Sequence, residues 1–252
     1  MNFHALLRVD RAHREADHYK LLEAEVARMI DVIQNNRNLI LDKWALIPDK
    51  NAPRLRIYIG SDLGFCGAVN VSVNTALERE DGTNTVLVIG RKIHRNDIVS
   101  LSIPRDEFES RYDEIENYLR DAVHFRRYSG IDVFYEHYYN MTHIEPVEKT
   151  IFPIQIDQDN EETYDDDFAI EGGDVDELMQ ELIITYLNYE IRDAAVNSFA
   201  SENILRQNAT DESLKRIDEM EEVKRWERRK ELNSIAAAQV IDSYIKKKVS
   251  IK

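Results

Sequence analysis

The last third of the chain contains the feature that most constrains its fold. Residues 176–252 form a run of 77 residues without glycine or proline, the two residues that most readily interrupt helices. A continuous helix of that length spans about 115 Å, more than one compact domain can bury. Within this run, 15 of the 23 residues from 211 to 233 are charged, with the two signs interleaved. We therefore expect a long helix stabilised by ion pairs between successive turns.

A narrow apolar edge and a second helical segment suggest how this helix is partnered. Along the charged stretch an apolar residue recurs at every third position: Leu214, Ile217, Met220, Val223 and Trp226. Residues 2–46 carry a heptad seam before Pro48 and Pro53 end the pattern, and this seam comprises Tyr19, Leu22, Val26, Met29 and Ile33. We predict that the two terminal helices pair as an antiparallel coiled coil.

Between the helices the hydrophobic period changes to that of strands. Residues 54–60, 85–90 and 131–135 are typical of strands, and residues 69–79 and 105–127 have helical patterns between them. This alternation predicts a small Rossmann-like α/β domain with a parallel sheet, to which residues 145–156 add an edge strand. The predicted divisions are an N-terminal helix (1–52), the α/β domain (53–156), an acidic loop (157–177) and the C-terminal helix (178–252).

The charge balance and the cysteine count exclude several classes of function. There are 48 acidic and 33 basic residues, so the net charge is −15, which argues against nucleic-acid or anionic-lipid partners. A single cysteine excludes an internal disulfide, and we expect a soluble protein in a reducing compartment, without membrane insertion. Eleven of the 21 residues from 157 to 177 are acidic, but neither Asp157 nor Asp165 begins a calcium-binding loop of the usual pattern.

A glycine-rich turn, residues 60–67, follows the first predicted strand and opens a helix. Phosphate-binding loops occupy this position in nucleotide-binding folds, but the glycine spacing matches neither of their common patterns. We favour a structural turn in which Asp62 caps the following backbone and Cys66 is a small apolar filler. The basic segment 90–95 permits an anion site, although a solvated corner between a strand and a helix is the simpler interpretation.

Several segments, in order, resemble the γ subunit of F-type ATP synthases. The turn contains the family's S-D-x-G-x-C-G pattern in residues 61–67, followed by Asn70. Gly90-Arg91-Lys92, Tyr139-Asn140 and residues 145–153 resemble later family segments, and residues 176–186 resemble the family's E-E-L-L…Y stretch. The pattern A-S-E-x-x-x-R at the base of the family's C-terminal helix is matched by Ala200, Ser201, Glu202 and Arg206. The motif positions of the turn are Ser61, Asp62, Gly64, Cys66, Gly67 and Asn70.

The resemblance implies a non-catalytic rotor without a cofactor or a metal. The helical pair would turn inside a head of three alpha and three beta ATPase subunits. The α/β domain would meet an epsilon-type subunit and a membrane ring, on the cytoplasmic side and peripheral to a membrane. A basic partner surface is plausible for the acidic loop. The positions that would contact the head are Trp226, Glu231, Leu232 and Ile235.

Two departures from the family pattern leave alternatives open. The family's basic N-terminal stretch is missing, and its polar head-contact motif is replaced by Glu231, Leu232, Ile235 and Ala236. We therefore expect a thinner, less stiff upper axle made from the C-terminal helix alone. The alternatives are a γ-like axle that drives motility or secretion machinery rather than an ion ring, a non-rotary coiled-coil adaptor, and a nucleotide-binding enzyme built on the α/β domain.

Overall fold

A five-stranded sheet forms the centre of the molecule. The computed structural model describes residues 2–36, 47–92, 97–154 and 174–249. The helices and strands, in chain order, are α1 (Asn2–Asn35), β1 (Arg54–Ile59), α2 (Gly67–Leu77), β2 (Thr85–Ile89), β3 (Val99–Ile103), a 3₁₀ turn (Arg105–Glu107), α3 (Tyr112–Phe125), β4 (Gly130–Asn140), β5 (His143–Phe152) and α4 (Val175–Val249).

The strand order is β3-β2-β1-β4-β5, and all neighbours are parallel except the antiparallel pair β4 and β5. This confirms the predicted α/β class with an added edge strand. Strand β2 is buried along almost its whole length, as its continuous apolar sequence indicates. Strand β3 was not predicted, because it is a five-residue edge strand whose two serines alternate with apolar residues.

The helices between the strands differ in extent from the predicted ones. Helix α2 begins at Gly67, two residues before the predicted start. The predicted single helix over residues 105–127 is wrong: the structure has a 3₁₀ turn, a further turn and then α3 from Tyr112. Arg126, at φ 52°, ends α3 with a left-handed residue. At the start of this segment the backbone NH of Arg105 donates to Asp62 Oδ2 (3.0 Å).

Helices α1 and α4 pair in antiparallel directions, as predicted. Val9 packs with Ala200 and Ile204, whereas Tyr19, later in α1, lies beside Tyr189, earlier in α4. The heptad spacing holds, and Val26 and Ile33 of the predicted seam are buried, but Met29 is 48% exposed and Ile30 is fully buried in its place. The buried hydrophobic positions of α1 are Val9, Ala12, Ala16, Val26, Ile30 and Ile33. The alanines among them give only a weak hydrophobic signal in the sequence.

The chain divides into two compact units within α4, at Gln207 and Asn208. The first unit, Met1–Gln207, contains the sheet, and α4 lies in its main core through residues such as Met179, Ile183, Leu187 and Ile191. The second unit, Asn208–Lys252, contains the rest of α4. Within it every described side chain from residue 212 to 246 is exposed.

Two predictions from the sequence involve residues that lie largely outside the described ones. They are the acidic loop, of which residues 155–173 are not described, and the end of the N-terminal helix, residues 37–46. Within the described ranges, no helix combines the length and apolarity that crossing a bilayer requires.

Gly90, at the end of β2, gives the sharpest test of the fold. Its φ is +124°, and a Cβ there would lie 3.0 Å from both Gly60 C and Ser61 N. We expect Gly90→Ala to lower the free energy of unfolding by about 2 kcal/mol or more, measured by urea denaturation. Gly64→Ala is the matched control, because a Cβ at Gly64 meets nothing within 4 Å. Equal urea midpoints for the two variants would contradict this prediction.

Candidate functional site

The glycine-rich turn satisfies its own polar groups. Asn70 Oδ1 accepts from Ser61 N (3.3 Å), and Ser61 Oγ accepts from Leu63 N (3.1 Å). Cys66 Sγ lies 3.2 Å from Ser61 Oγ and is buried. These contacts occupy the backbone NH groups of Ser61 and Leu63, so they support the structural interpretation of the turn.

Cys66 is a filler in this turn rather than an activated nucleophile. Burial raises the pKa of its thiol, and the nearby Glu202 carboxylate raises it further. Both effects disfavour the thiolate. The influence of Glu202 also shows that the turn lies near helix α4, so the structure brings together two segments that are far apart in sequence.

Asp62 has a different role from the predicted one. It does not cap α2, whose N-cap residue is Cys66 and which has no side-chain cap. Instead Asp62 Oδ1 accepts from Arg91 N (2.9 Å) and Oδ2 accepts from Arg105 N (3.0 Å). Arg91 follows β2 and Arg105 follows β3, so one carboxylate joins the ends of three parallel strands. We call Ser61, Asp62, Arg91 and Arg105 the strand-end junction.

The basic segment after β2 is partly explained by the same junction. The Arg91 guanidinium donates to both carboxylate oxygens of Asp106 (2.8 and 3.1 Å) and to Asp62 (3.2 Å). This arginine is therefore already paired with carboxylates, which leaves little for an anion site there. Residues 93–96 lie outside the described ones.

The motif residues of α4 lie in the interior. We call Ala200, Ser201, Glu202 and Arg206 the α4 root. The first three are buried, and Ser201 Oγ lies 3.0 Å from both Glu136 O on β4 and Asn197 O. Glu202 and Arg206 form an ion pair of 3.8 Å one helical turn apart. The root is thus held against the carboxyl end of β4.

Arg105 is the functional residue that the sequence reasoning missed. Its guanidinium donates from Nη2 to the Ala195 carbonyl of α4 (2.5 Å) and lies over the Phe199 ring, 5.0 Å from the centroid. Because its backbone also binds Asp62, Arg105 connects the strand-end junction to α4. No local pattern in the sequence indicates a contact between residues 90 positions apart.

A second group of charged side chains fastens α4 to β5. Lys149 Nζ lies 2.7 Å from both carboxylate oxygens of Glu190, which also accepts from the Tyr186 hydroxyl (2.9 Å). Burial raises the pKa of Glu23 on α1, and Glu190 raises it further. Burial also raises the pKa of Asp193 to about 6, against the opposing attraction of Lys20.

The residues of α4 beyond Gln207, which we call the α4 tail (208–249), are of a different kind. Trp226 is 62% exposed, and Leu232 and Ile235 are also exposed, as is Glu231. Ion pairs one turn apart, such as Arg225 with Glu221 (3.1 Å), follow the predicted pattern. The predicted head-contact positions therefore present their side chains to solvent.

A family model described as ATP synthase matches residues 1–230, which is most of the chain. The chain belongs to the ATP synthase family. The match includes the glycine-rich turn, the strand-end junction and the α4 root, and it ends one residue before Glu231. Three of the four predicted head-contact positions therefore lie beyond the part of the chain that the family model covers.

Curated relatives are gamma chains. The ATP synthase gamma chain of Clostridium perfringens strain 13 is 26% identical over 210 residues, covering 78% of this chain and 71% of the relative. That of Wolbachia sp. subsp. Brugia malayi is 25% identical over 232 residues, covering 83% and 78%. With the family match, they make this chain a gamma-type, non-catalytic subunit.

Solved structures share the fold. One is the rotor of the Euglena gracilis mitochondrial ATP synthase, with a TM-score of 0.51 and 17% identity, covering 89% of this chain and 98% of that one. Another is the central stalk and c-ring of the Tetrahymena thermophila enzyme, with a TM-score of 0.50 and 18% identity, covering 79% and 98%.

The strand-end junction can be tested by removing its carboxylate. Asp62→Ala leaves two backbone NH groups without their acceptor, and we expect it to lower the free energy of unfolding by about 2–3 kcal/mol. Asp106→Ala removes the exposed partner of the same Arg91 and should change it by less than about 1 kcal/mol. Urea denaturation measures both variants, and an Asp62→Ala effect as small as that of Asp106→Ala would exclude the bridging role.

The buried Asp193 predicts a defined dependence on pH. Its raised pKa means that the folded state binds a proton more tightly than the unfolded state, so stability falls as pH rises from about 4 to about 6. Asp193→Asn removes the buried charge, and we expect it to stabilise the protein by about 1–2 kcal/mol at pH 7.5 and to have little effect at pH 4. Thermal unfolding at both pH values measures this.

Asp218→Asn, exposed in the α4 tail, controls for the change in net charge. A destabilising effect of Asp193→Asn at pH 7.5 would show that the Asp193 charge is compensated by Lys20 and Lys149.

Proposed function

We propose that this gamma-type subunit is the rotating axle of a rotary ATPase, with the α4 tail inside a head of alpha and beta subunits. The α4 tail carries the proposal. Helix α4 continues through residue 249, although no described side chain from 212 to 246 is buried. A solvated single helix of this length gains no stability from a core, so a segment of this kind is suited to a surrounding partner.

The surface of the α4 tail suits a shaft that turns within a sleeve. Alternating charges keep most of it hydrated, and exposed apolar residues such as Ile217, Val223 and Trp226 form only a narrow edge. A broad apolar face would bind one orientation of the sleeve tightly and resist rotation. A narrow edge permits contact in several orientations with similar free energies.

Torque must pass from α4 to the sheet without rotation of α4 about its own axis relative to the sheet. Three kinds of contact oppose such slippage: the Arg105 guanidinium on the Ala195 carbonyl, Ser201 on β4, and ion pairs between α4 and other elements. Among the last, Lys149 holds Glu190, and Arg192 Nη1 lies 2.6 Å from Glu109 Oε2. These contacts come from β4, from β5, and from Arg105 and Glu109 in the segment between β3 and α3. They therefore restrain rotation of α4 from several directions.

The proposed partners are an alpha3beta3 head, an epsilon-type subunit and a membrane ring. The solved structures named above are described as a rotor and as a central stalk with its c-ring, which supports this assignment. Within the head we propose that the α4 tail forms part of the axle. Whether the load is an ion ring or another machine is decided by the subunits that co-purify.

The first test is the composition of the native complex. The chain is co-expressed with its neighbouring genes, isolated through a tag and examined by native mass spectrometry. We expect one copy of this chain with three copies each of two ATPase subunits. A monomer, or a homodimer formed through the α4 tail, without an ATPase attached would overturn the proposal and favour the adaptor interpretation.

Substitutions in the same experiment test the α4 tail directly. Val223→Asp and Trp226→Asp place charges on its apolar edge, and loss of a buried aromatic contact of this kind weakens binding roughly thirtyfold. We expect much less ATPase head to co-purify with either variant. Leu21→Asp, at an equally exposed position on α1, is the control. Unchanged recovery of the head with both tail variants would contradict the proposed contact.

A further inference from the structure

A cavity of about 420 Å³ lies between α1, the segment after β3 and α4, entirely within the first unit. Its volume is in the range of small-molecule sites. Apolar and aromatic side chains form much of the wall, among them Tyr19, Phe108, Val196 and Phe199. A flat apolar group would fit against such a wall with favourable burial.

The cavity also concentrates positive charge in a chain whose net charge is −15. Four arginines line it: Arg8 and Arg11 from α1, Arg105 after β3, and Arg192 from α4. Three acidic residues line it as well, namely Glu15, Asp106 and Glu109.

Most of that negative charge is already engaged. Glu109 is paired with Arg192. Both carboxylate oxygens of Asp106 accept hydrogen bonds from Arg91, which is not part of the cavity wall. Within the described part of the chain, neither Arg8 nor Arg11 has a carboxylate oxygen within 4.0 Å. Glu15 therefore remains against Arg8 and Arg11, so an anion entering the cavity meets an excess of positive charge from these two side chains.

Arg105 supplies an unused donor in the wall. Its Nη2 donates to Ala195 O, whereas Nη1 is buried and has no hydrogen-bond partner among the described residues. A buried donor without an acceptor is unfavourable by about 1–3 kcal/mol, and more for a charged group. The carboxylates of Glu202 and Asp62 stabilise the charge on Arg105 from nearby but accept no hydrogen bond from Nη1.

We propose that this cavity is a binding site for a small amphipathic anion, a flat apolar body that carries a phosphate or a carboxylate. The arginine guanidinium matches both acidic groups in geometry and charge. The acidic group would lie among Arg8, Arg11 and Arg105, and the apolar body against Phe108 and Phe199. The occupant would contact α1 and α4 at once and would stabilise the first unit against unfolding.

The experiment uses the full chain and three probes: 1-naphthyl phosphate, 1-naphthoate and inorganic phosphate. Isothermal titration calorimetry should show saturable one-to-one binding of one or both naphthyl compounds, with inorganic phosphate at least roughly tenfold weaker because it lacks the apolar body. The comparison of the two naphthyl compounds identifies the preferred acidic group. Each naphthyl compound that binds should also raise the thermal unfolding temperature of the chain.

Arginine variants locate the site. Arg8→Gln and Arg11→Gln should each weaken binding of the naphthyl probe roughly fivefold to tenfold, since each removes a charged donor. Arg14→Gln is the matched control, because Arg14 lies on the same helix, is paired with Asp10 (2.8 Å) and does not line the cavity. If the Arg105→Met variant folds, it tests the contribution of the buried donor to binding. If it does not fold, the Arg8→Gln and Arg11→Gln variants decide whether the probe binds in this cavity.

Three results would overturn the proposal. They are the absence of saturable binding of either naphthyl compound, equal affinity of the Arg8→Gln, Arg11→Gln and Arg14→Gln variants, and inorganic phosphate binding as tightly as the naphthyl probes. The proposal does not depend on the rotor role, because the binding measurement needs no ATPase subunit.

Discussion

One carboxylate determines how the parallel strands present their ends to α4. Asp62 accepts from the backbone NH groups of Arg91 and Arg105, which follow different strands, and so fixes the loop after β3 in relation to β1 and β2. Because Arg105 is fixed at its backbone, its guanidinium can reach only one stretch of α4, where it binds the Ala195 carbonyl. The axial position of α4 on the sheet therefore depends on a side chain in the glycine-rich turn.

The sequence predicted the elements well and their long-range contacts poorly. Strands β1, β2 and β4 carry apolar runs, and α4 lacks helix breakers, so local patterns were sufficient to find them. The roles of Asp62 and Arg105 rest on partners between 29 and 90 positions away, which no local periodicity reveals. In the predicted seam of α1, Val26 and Ile33 are buried, but Met29 is exposed, and the buried Ala12 and Ala16 were not predicted because they are small.

The family resemblance located positions whose physical role only the structure explains. Ser201 and Glu202 belong to a short motif that looks polar and surface-like in the sequence, yet both are buried. Buried polar groups are tolerated where they are paired, and Ser201 has two carbonyl acceptors within 3.0 Å. A helix that packs through paired buried polar groups has few alternative orientations, since most rotations would leave these polar groups unpaired.

The charge distribution around the α1–α4 pair extends this reasoning to the register of the two helices. One stripe of α4 carries Glu190 and Asp193 beside Lys149, and a neighbouring stripe carries Arg192 beside Glu109. On α1, Glu23 is near the first group, whereas Arg8 and Arg11 line the cavity beside the second. A shift of α1 by one turn would move Glu23 away from the Tyr186 hydroxyl, with which it interacts. The apolar seam opposes such a shift less at its small residues, Ala12 and Ala16, than at Ile30 and Ile33. The ionisable groups therefore add to the seam in making one register of the two helices more stable than its neighbours.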